Sequence, residues 1–164
     1  MHIGRKNSNH IQPQSVTAKA AVMGSKDYPN LRGTVTLRQM KNGVLVTAEI
    51  FGLPSKQDKC DGGVFGFHIH EGTQCSGNEK DPFADAKMHY NPDGCPHPYH
   101  AGDLPPLFGN KNGYAYLSFL TDRFTIDEII GKTVIIHLGR DDFTTQPSGN
   151  SGERAACGKV CRLG

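Results

Sequence analysis

Apolar and polar residues alternate over several short segments of this chain. Alternation is typical of β-strands, because successive side chains of a strand point to opposite faces of the sheet. Turn residues separate the segments; Asn42-Gly43, for example, accepts the positive φ angles of a tight hairpin turn. The pattern therefore predicts about eight short antiparallel strands. The alternation is clearest in residues 16–23, 33–40, 44–51, 64–70, 114–120, 133–137 and 154–161.

Two long stretches rich in glycine and polar residues, 71–107 and 138–153, interrupt the strands. Long loops inside a compact domain are usually functional or disordered, and the candidate ligands in the first one favour functional order. Residues 124–131 are predicted to form a helical turn or an apolar loop. The pattern as a whole predicts an all-β fold: an eight-stranded antiparallel Greek-key barrel or sandwich, immunoglobulin-like, with two long functional loops.

Composition supports one domain and few long helices. The chain has 164 residues, of which 20 are glycine and 10 are proline, and this suits many turns. We expect a flexible tail over residues 1–14 and a single domain over residues 15–164. The net charge of +2 and the lack of a basic run argue against nucleic acid as a partner. No apolar run approaches the roughly 18 residues of a membrane span.

The amino-terminal residues give an expectation about compartment. Residues 1–15 are polar and contain no apolar stretch of the kind that forms the centre of a signal peptide. The chain as given is therefore expected in the cytoplasm, or outside it if a leader has been removed.

The segment 64–70 carries the first candidate chemistry. Val64, Gly66, His68 and His70 fall on one face of the predicted strand, and the opposite face is purely apolar. Two histidines at positions i and i+2 of a strand can bind one metal ion. Such a pair is more often an exposed polar face, so we expect a half-buried strand and take the metal site from the other histidines.

Six of the eight histidines lie at strand ends or in the first long loop, and two aspartates accompany them. Imidazole suits zinc and copper, and no cysteine spacing indicates an iron–sulfur cluster or a four-cysteine zinc site. Seven or eight nitrogen and oxygen donors exceed one tetrahedral site, so two metals are the simpler hypothesis. The alternative is a scatter of loop and core histidines. The eight residues are His68, His70, His89, His97, His100, Asp103, His137 and Asp141.

Five motifs in sequence order carry a resemblance to a known family. They are residues 66–71 (Gly-Phe-His-Ile-His-Glu), 89–92 (His-Tyr-Asn-Pro), 100–104 (His-Ala-Gly-Asp-Leu), 134–137 (Val-Ile-Ile-His) with 141–142 (Asp-Asp), and 149–158 (Gly-Asn-Ser-Gly-Glu-Arg-Ala-Ala-Cys-Gly). From about residue 16 to the carboxyl terminus, the chain resembles copper/zinc superoxide dismutase. The style of the two loops is similar to that of the bacterial branch.

The resemblance implies an activity: two superoxide anions and two protons become O2 and H2O2 through redox cycling of copper. It implies that His89 bridges copper and zinc and takes up a proton, and that Arg154 guides the anionic substrate. Lys87 or Arg140 would add to this positive funnel, so salt should weaken the steering. The implied copper ligands are His68, His70, His89 and His137, and the implied zinc ligands are His89, His97, His100 and Asp103.

The resemblance also implies supporting contacts. Asp141 would hydrogen-bond one copper histidine and one zinc histidine, and Cys75 would form a disulfide with Cys157. Cys60, Cys95 and Cys161 are extra to the family pattern, and a second disulfide between Cys60 and Cys161 stays open. The segment 97–100 is shorter than in the family, which leaves open whether His97 joins the zinc set.

Two other functions compete with this one. A zinc-dependent hydrolase would need many helices, which this chain lacks. A non-enzymatic copper carrier or a metal-binding structural domain of the same fold would be marked by loss of a copper ligand or of Arg154, and all of these are present. Superoxide is the expected small-molecule partner. Formation of a homodimer and metal occupancy are not decided by the sequence.

Overall fold

The computed structural model describes residues 17–54 and 63–164. The predicted tail, its boundary at residue 15, and Cys60 lie outside the described residues. The described chain is built almost entirely of strands, as predicted. The strands are β1 (Thr17–Gly24), β2 (Arg32–Met40), β3 (Gly43–Phe51), β4 (Val64–Phe65), β5 (Phe67–His70), β6 (Leu107–Phe108), β7 (Ala115–Thr121), β8 (Thr133–His137) and β9 (Arg154–Arg162), and α1 is Ile126–Ile129.

Seven strands form one curled antiparallel sheet in the order β5-β8-β9-β1-β2-β3-β7, and β4 pairs with β6 in a second sheet. Only Gly66 separates β4 from β5, and β6 contacts β7. The small sheet therefore connects the two edges of the large one, and the whole closes into a barrel. The predicted all-β barrel is confirmed.

The alternating residues of the long strands form the core. Alternate apolar side chains of β1 to β3 are buried, including Val22, Leu37 and Ile50. Burying one aliphatic side chain of this size contributes about 1.5–3 kcal/mol, so the alternation fixes the register of these strands. Phe67 and Ile69 of β5 join the same cluster.

The prediction for segment 64–70 was wrong in one respect. Its histidine face is buried as deeply as its apolar face, since His68 and His70 are at most 1% exposed. The loop 71–107 covers that face. Imidazoles count as polar in a periodicity pattern, but here they line a closed site and not a solvated surface.

Two smaller features complete the comparison with the sequence pattern. The two-residue strand β6 was not predicted, because Leu107 and Phe108 are too short a segment to show alternation. The helical turn predicted within 124–131 is α1, and its capping box joins Thr125 to Glu128. In the described part of the chain, no helix is long and apolar enough to cross a membrane.

The loop 71–107 is held against the barrel. A disulfide joins Cys75 to Cys157 of β9, with the two Cα atoms 5.6 Å apart. The Tyr90 N–H donates to the Ile69 carbonyl at 2.8 Å, and the Ile69 N–H donates to the Gly102 carbonyl at 2.9 Å. A side chain on Gly102 would overlap the Ile69 carbonyl oxygen, so this close crossing over β5 needs glycine.

Candidate metal centre

The structure brings the predicted donors together in two groups. The first consists of two histidines of β5, one at the end of β8 and one from the loop; the second comes from the loop alone. Within each group the ligand-capable atoms lie within 4.8 Å of one another, and every residue is buried. His89 belongs to both. The groups are His68, His70, His89 and His137, and His89, His97, His100 and Asp103.

Main-chain carbonyls fix the tautomers of His70 and His137. His70 Nδ1–H donates to the Lys87 carbonyl at 2.9 Å, and His137 Nδ1–H donates to the Gly152 carbonyl at 3.1 Å. A carbonyl can only accept, so each Nδ1 carries the proton and each Nε2 keeps its lone pair. The two Nε2 atoms face each other at 3.3 Å. Two opposed lone pairs repel, and a metal cation would turn both into ligands.

Asp141 links the two groups. Its carboxylate accepts from His68 Nε2 at 2.7 Å and from His97 Nε2 at 2.9 Å. Each ring is thereby oriented with Nδ1 free to bind a metal. Burial raises the pKa of Asp141, but hydrogen bonds from His68, the Phe143 N–H and His97 outweigh it and lower the pKa to about 2. The carboxylate is therefore ionised at neutral pH.

Three imidazoles converge on the carboxylate of Asp103. Their Nδ1 atoms lie 2.7 Å (His89), 3.1 Å (His97) and 3.4 Å (His100) from its oxygens. The His100 N–H also donates to this carboxylate, at 3.0 Å. Three ring nitrogens and one carboxylate oxygen form a donor set that suits zinc.

Burial keeps three histidines of the first group in the form that metals bind. Burial, followed by the neighbouring histidines, lowers the pKa of His137 to about 3 and that of His70 well below 6.5. Burial likewise lowers the pKa of His68 to about 4, against a hydrogen bond to Asp141 that raises it. At neutral pH these rings are uncharged and offer lone pairs.

Four buried ring nitrogens have no hydrogen-bond partner in the described structure: His68 Nδ1, His89 Nε2, His97 Nδ1 and His100 Nδ1. An unsatisfied buried polar atom costs about 1–3 kcal/mol, so four in one place need an explanation. Metal cations supply it. The residues present therefore fit a copper ion and a zinc ion that share His89.

A family model described as copper/zinc superoxide dismutase (SODC) matches residues 31–160. The chain belongs to this family. The superoxide dismutase (Cu-Zn) of Photobacterium leiognathi is 37% identical over 141 residues, which cover 78% of each chain. The superoxide dismutase (Cu-Zn) of Legionella pneumophila is 32% identical over 152 residues, 88% of this chain and 86% of that one. That of Deinococcus radiodurans is 33% identical over 144 residues, 77% and 75%. The predicted resemblance is thus confirmed.

Arg154, which the family resemblance predicts to guide the anion, lies beside the first donor group. Its guanidinium donates to the carbonyls of Phe83 at 2.8 Å and Lys87 at 2.6 Å, and it lies 3.4 Å from the Asp81 carboxylate. The Lys87 carbonyl accepts from both Arg154 and His70. One main-chain oxygen thus positions a predicted metal ligand and the predicted substrate guide. The side chains of Lys87 and Arg140 are exposed.

The remaining cysteine predictions have different outcomes. The predicted disulfide between Cys75 and Cys157 is present. Cys95 and Cys161 have free thiols, and Cys161 is exposed. Cys60, the suggested partner of Cys161, lies outside the described residues.

The structure adds two residues that sequence reasoning missed. Gln146 makes a reciprocal pair with the main chain of His97: its Nε2 donates to the His97 carbonyl at 2.7 Å, and its Oε1 accepts the His97 N–H at 3.0 Å. Arg123 donates to three carbonyls of the same loop. Both pairings join segments distant in sequence, and neither residue type or spacing signals them.

Proposed function

We propose that this chain catalyses superoxide dismutation, in which two superoxide anions and two protons give O2 and H2O2. The observation that carries the proposal is that two buried donor groups share one histidine, His89, beside a held arginine, Arg154. A carrier of copper alone has no need of the second group. Membership of the copper/zinc superoxide dismutase family supports the same activity.

The two donor groups would hold different metals. Copper, when bound, supplies the one-electron redox chemistry that dismutation requires, and zinc supplies a fixed positive charge on the other side of the shared histidine. We assign copper to the group that includes strand residues, since strands provide rigid positions for a redox metal. The copper residues are His68, His70, His89 and His137, and the zinc residues are His89, His97, His100 and Asp103.

The chain's own residues orient, exclude water and carry protons. The carbonyls of Lys87 and Gly152 hold the rings of His70 and His137, and Asp141 holds one ring of each group. Burial of these rings excludes water. His89 Nε2, buried and without a hydrogen-bond partner, is the atom we assign as proton carrier for the second half of the reaction.

Arg154 is assigned the role of substrate guide. Its side chain is half-buried and fixed by two carbonyls, so its charge is presented from one position. A small anion such as superoxide is attracted by a localised positive charge in a partly desolvated cleft. The nearby Asp81 carboxylate reduces this field without cancelling it, since it lies at 3.4 Å and is one-third exposed.

Metal content and superoxide decay test the proposal together. Purified protein loaded with both metals should contain one copper and one zinc per chain and should accelerate superoxide decay far above the rate in buffer. Protein loaded with zinc alone is the control and should not. Two zincs per chain, or one copper and one zinc without accelerated decay, would overturn the dismutase assignment.

Substitutions of Lys87 should change the stability of the fold and the rate of superoxide decay independently of each other. Lys87 has φ 62° and ψ −144°, a combination that glycine adopts easily and a lysine does not. Lys87→Gly should therefore stabilise the fold by about 1 kcal/mol. Loss of an exposed cation beside Arg154 should lower kcat/KM for superoxide roughly 2–5-fold at low ionic strength and little at high salt. Thermal unfolding and superoxide decay at two salt concentrations measure these effects.

The matched variant for that experiment is Lys87→Gln, which removes the charge and keeps the strained backbone. It should show the same loss of rate without the gain in stability. If Lys87→Gln decays superoxide at the wild-type rate in low salt, Lys87 has no part in guiding the anion. If Lys87→Gly is no more stable than Lys87→Gln, the backbone is not strained.

A further inference from the structure

The segment from His97 to Asp103 carries three of the four predicted zinc donors, yet it lies outside the helices and strands. Its regular pairing is a single β-bridge between Asp103 and His68. Three of its carbonyl groups converge on one point. That point is Nη1 of Arg123, which donates to the carbonyls of Pro98 at 3.0 Å, His100 at 3.3 Å and Asp103 at 3.4 Å.

Arg123 is itself carried by the barrel wall. It follows β7, which ends at Thr121, and its N–H donates to Thr121 Oγ1 at 3.3 Å. The next residue, Phe124, is buried in the core, and Thr125 begins the capped helix α1. The junction of β7 and α1 therefore fixes the position of the guanidinium, which does not depend on the loop.

We propose that Arg123 is a positioning residue for zinc. It holds the main chain of residues 97–103 so that His97, His100 and Asp103 point inward together. This inference rests on the proposed assignment of those residues to zinc. Guanidinium suits the task, because it has only donors and keeps its charge at all relevant pH values. Hydrogen bonds from a charged donor are stronger than those between neutral groups.

The expected effect falls on one metal. His68, His70 and His137 lie on β5 and β8, where ladder hydrogen bonds hold the backbone without Arg123. Of the zinc donors, His89 and Asp103 each form one isolated β-bridge with β5. The segment 97–100 has no such pairing, and its main chain is held by Arg123 on one side and by Gln146 on the other. Arg123 also lines an open groove of about 430 Å³ with Pro98 and Phe143, so water can replace part of its contacts. The effect should therefore be moderate.

Zinc release tests the proposal. Protein loaded with zinc and copper is mixed with excess chromogenic chelator, and the release of each metal is followed over time. Arg123→Gln should release zinc about tenfold faster than wild type, which corresponds to about 1.4 kcal/mol. Arg123→Lys, which keeps the charge but whose terminal nitrogen ends one bond short of the position of Nη1, should fall between the two. Arg38→Gln, an exposed arginine of β2, is the charge-matched control and should release zinc at the wild-type rate.

Two further readouts distinguish positioning from a general structural role. Copper release should change less than twofold in Arg123→Gln, and thermal unfolding of the metal-free protein should stay close to wild type. Equal acceleration of both metals, or unchanged zinc release, would overturn the proposal. If Arg123→Gln does not fold, Arg123→Lys decides, since zinc release at the wild-type rate in that variant also overturns it. Failure of the dismutase assignment would appear separately, as slow superoxide decay by wild-type protein that binds zinc normally.

Discussion

Superoxide decay by His137→Ala protein should fall to the rate measured in buffer. His137 ends β8, and its Nδ1–H bond to Gly152 directs Nε2 toward His70 Nε2. Alanine removes one of four nitrogens from the proposed copper group and leaves a buried gap that water can enter. Loss of an outer hydrogen-bonding partner already weakens metal binding about 10–100-fold, so loss of a donor should exceed that range.

The measurement compares superoxide decay and metal content on the same preparation. Zinc should stay near one per chain in His137→Ala, because His137 is not in the zinc group. His10→Ala removes a histidine that is not among the predicted donors and should behave as wild type. Copper content and decay rate both equal to wild type would show that His137 is not a copper ligand. The assignment of copper to the first donor group would then fail.

Asp141→Asn should weaken both metals at once, each by about 10–100-fold. The Asp141 carboxylate accepts one hydrogen bond from a ring of each group, at 2.7 Å from His68 Nε2 and 2.9 Å from His97 Nε2. An asparagine has one accepting oxygen and one donating nitrogen. The amide is also neutral, so both rings lose the charged acceptor that orients them, and the ring that faces the amide nitrogen loses its acceptor altogether.

Competition titration with a chelator of known affinity gives the dissociation constant for each metal. Asp142→Asn is the matched control, because this neighbouring carboxylate bonds Thr144 and Thr145 within its own turn. It should change either constant less than about threefold. A loss confined to one metal in Asp141→Asn would mean that the carboxylate does not link the two groups, and its assigned role would have to be divided.

The sequence was sufficient for the fold class and for the donors, for identifiable reasons. Alternation along β1 to β3 follows directly from burial of one face, and its period of two cannot be confused with a helix. The donors could be recognised because histidine is chemically distinctive and six of them fall in few places. That Asp141 bonds one histidine of each group was expected only from the family resemblance, and the structure identifies the two as His68 and His97.

The contacts that hold the donors could not be predicted in this way. Arg123 and Gln146 act on main-chain carbonyls 20 to 49 positions away in sequence, and a carbonyl has no residue type to recognise. Both faces of β5 are buried because the loop 71–107 covers one of them, and the sequence of this loop shows no periodicity. In both cases the deciding quantity is which segments meet in space, and local pattern does not contain it.

The crossing of the long loop over β5 also determines when the shared histidine becomes ordered. His89 forms a β-bridge with His70, and the Tyr90 N–H beside it bonds the Ile69 carbonyl. These main-chain contacts form when the barrel folds, so the entropy of ordering His89 is lost in folding and not in metal uptake. Neither metal then has to arrive first to place the bridge for the other. We therefore expect the two ions to enter in either order, with their common ligand placed by folding.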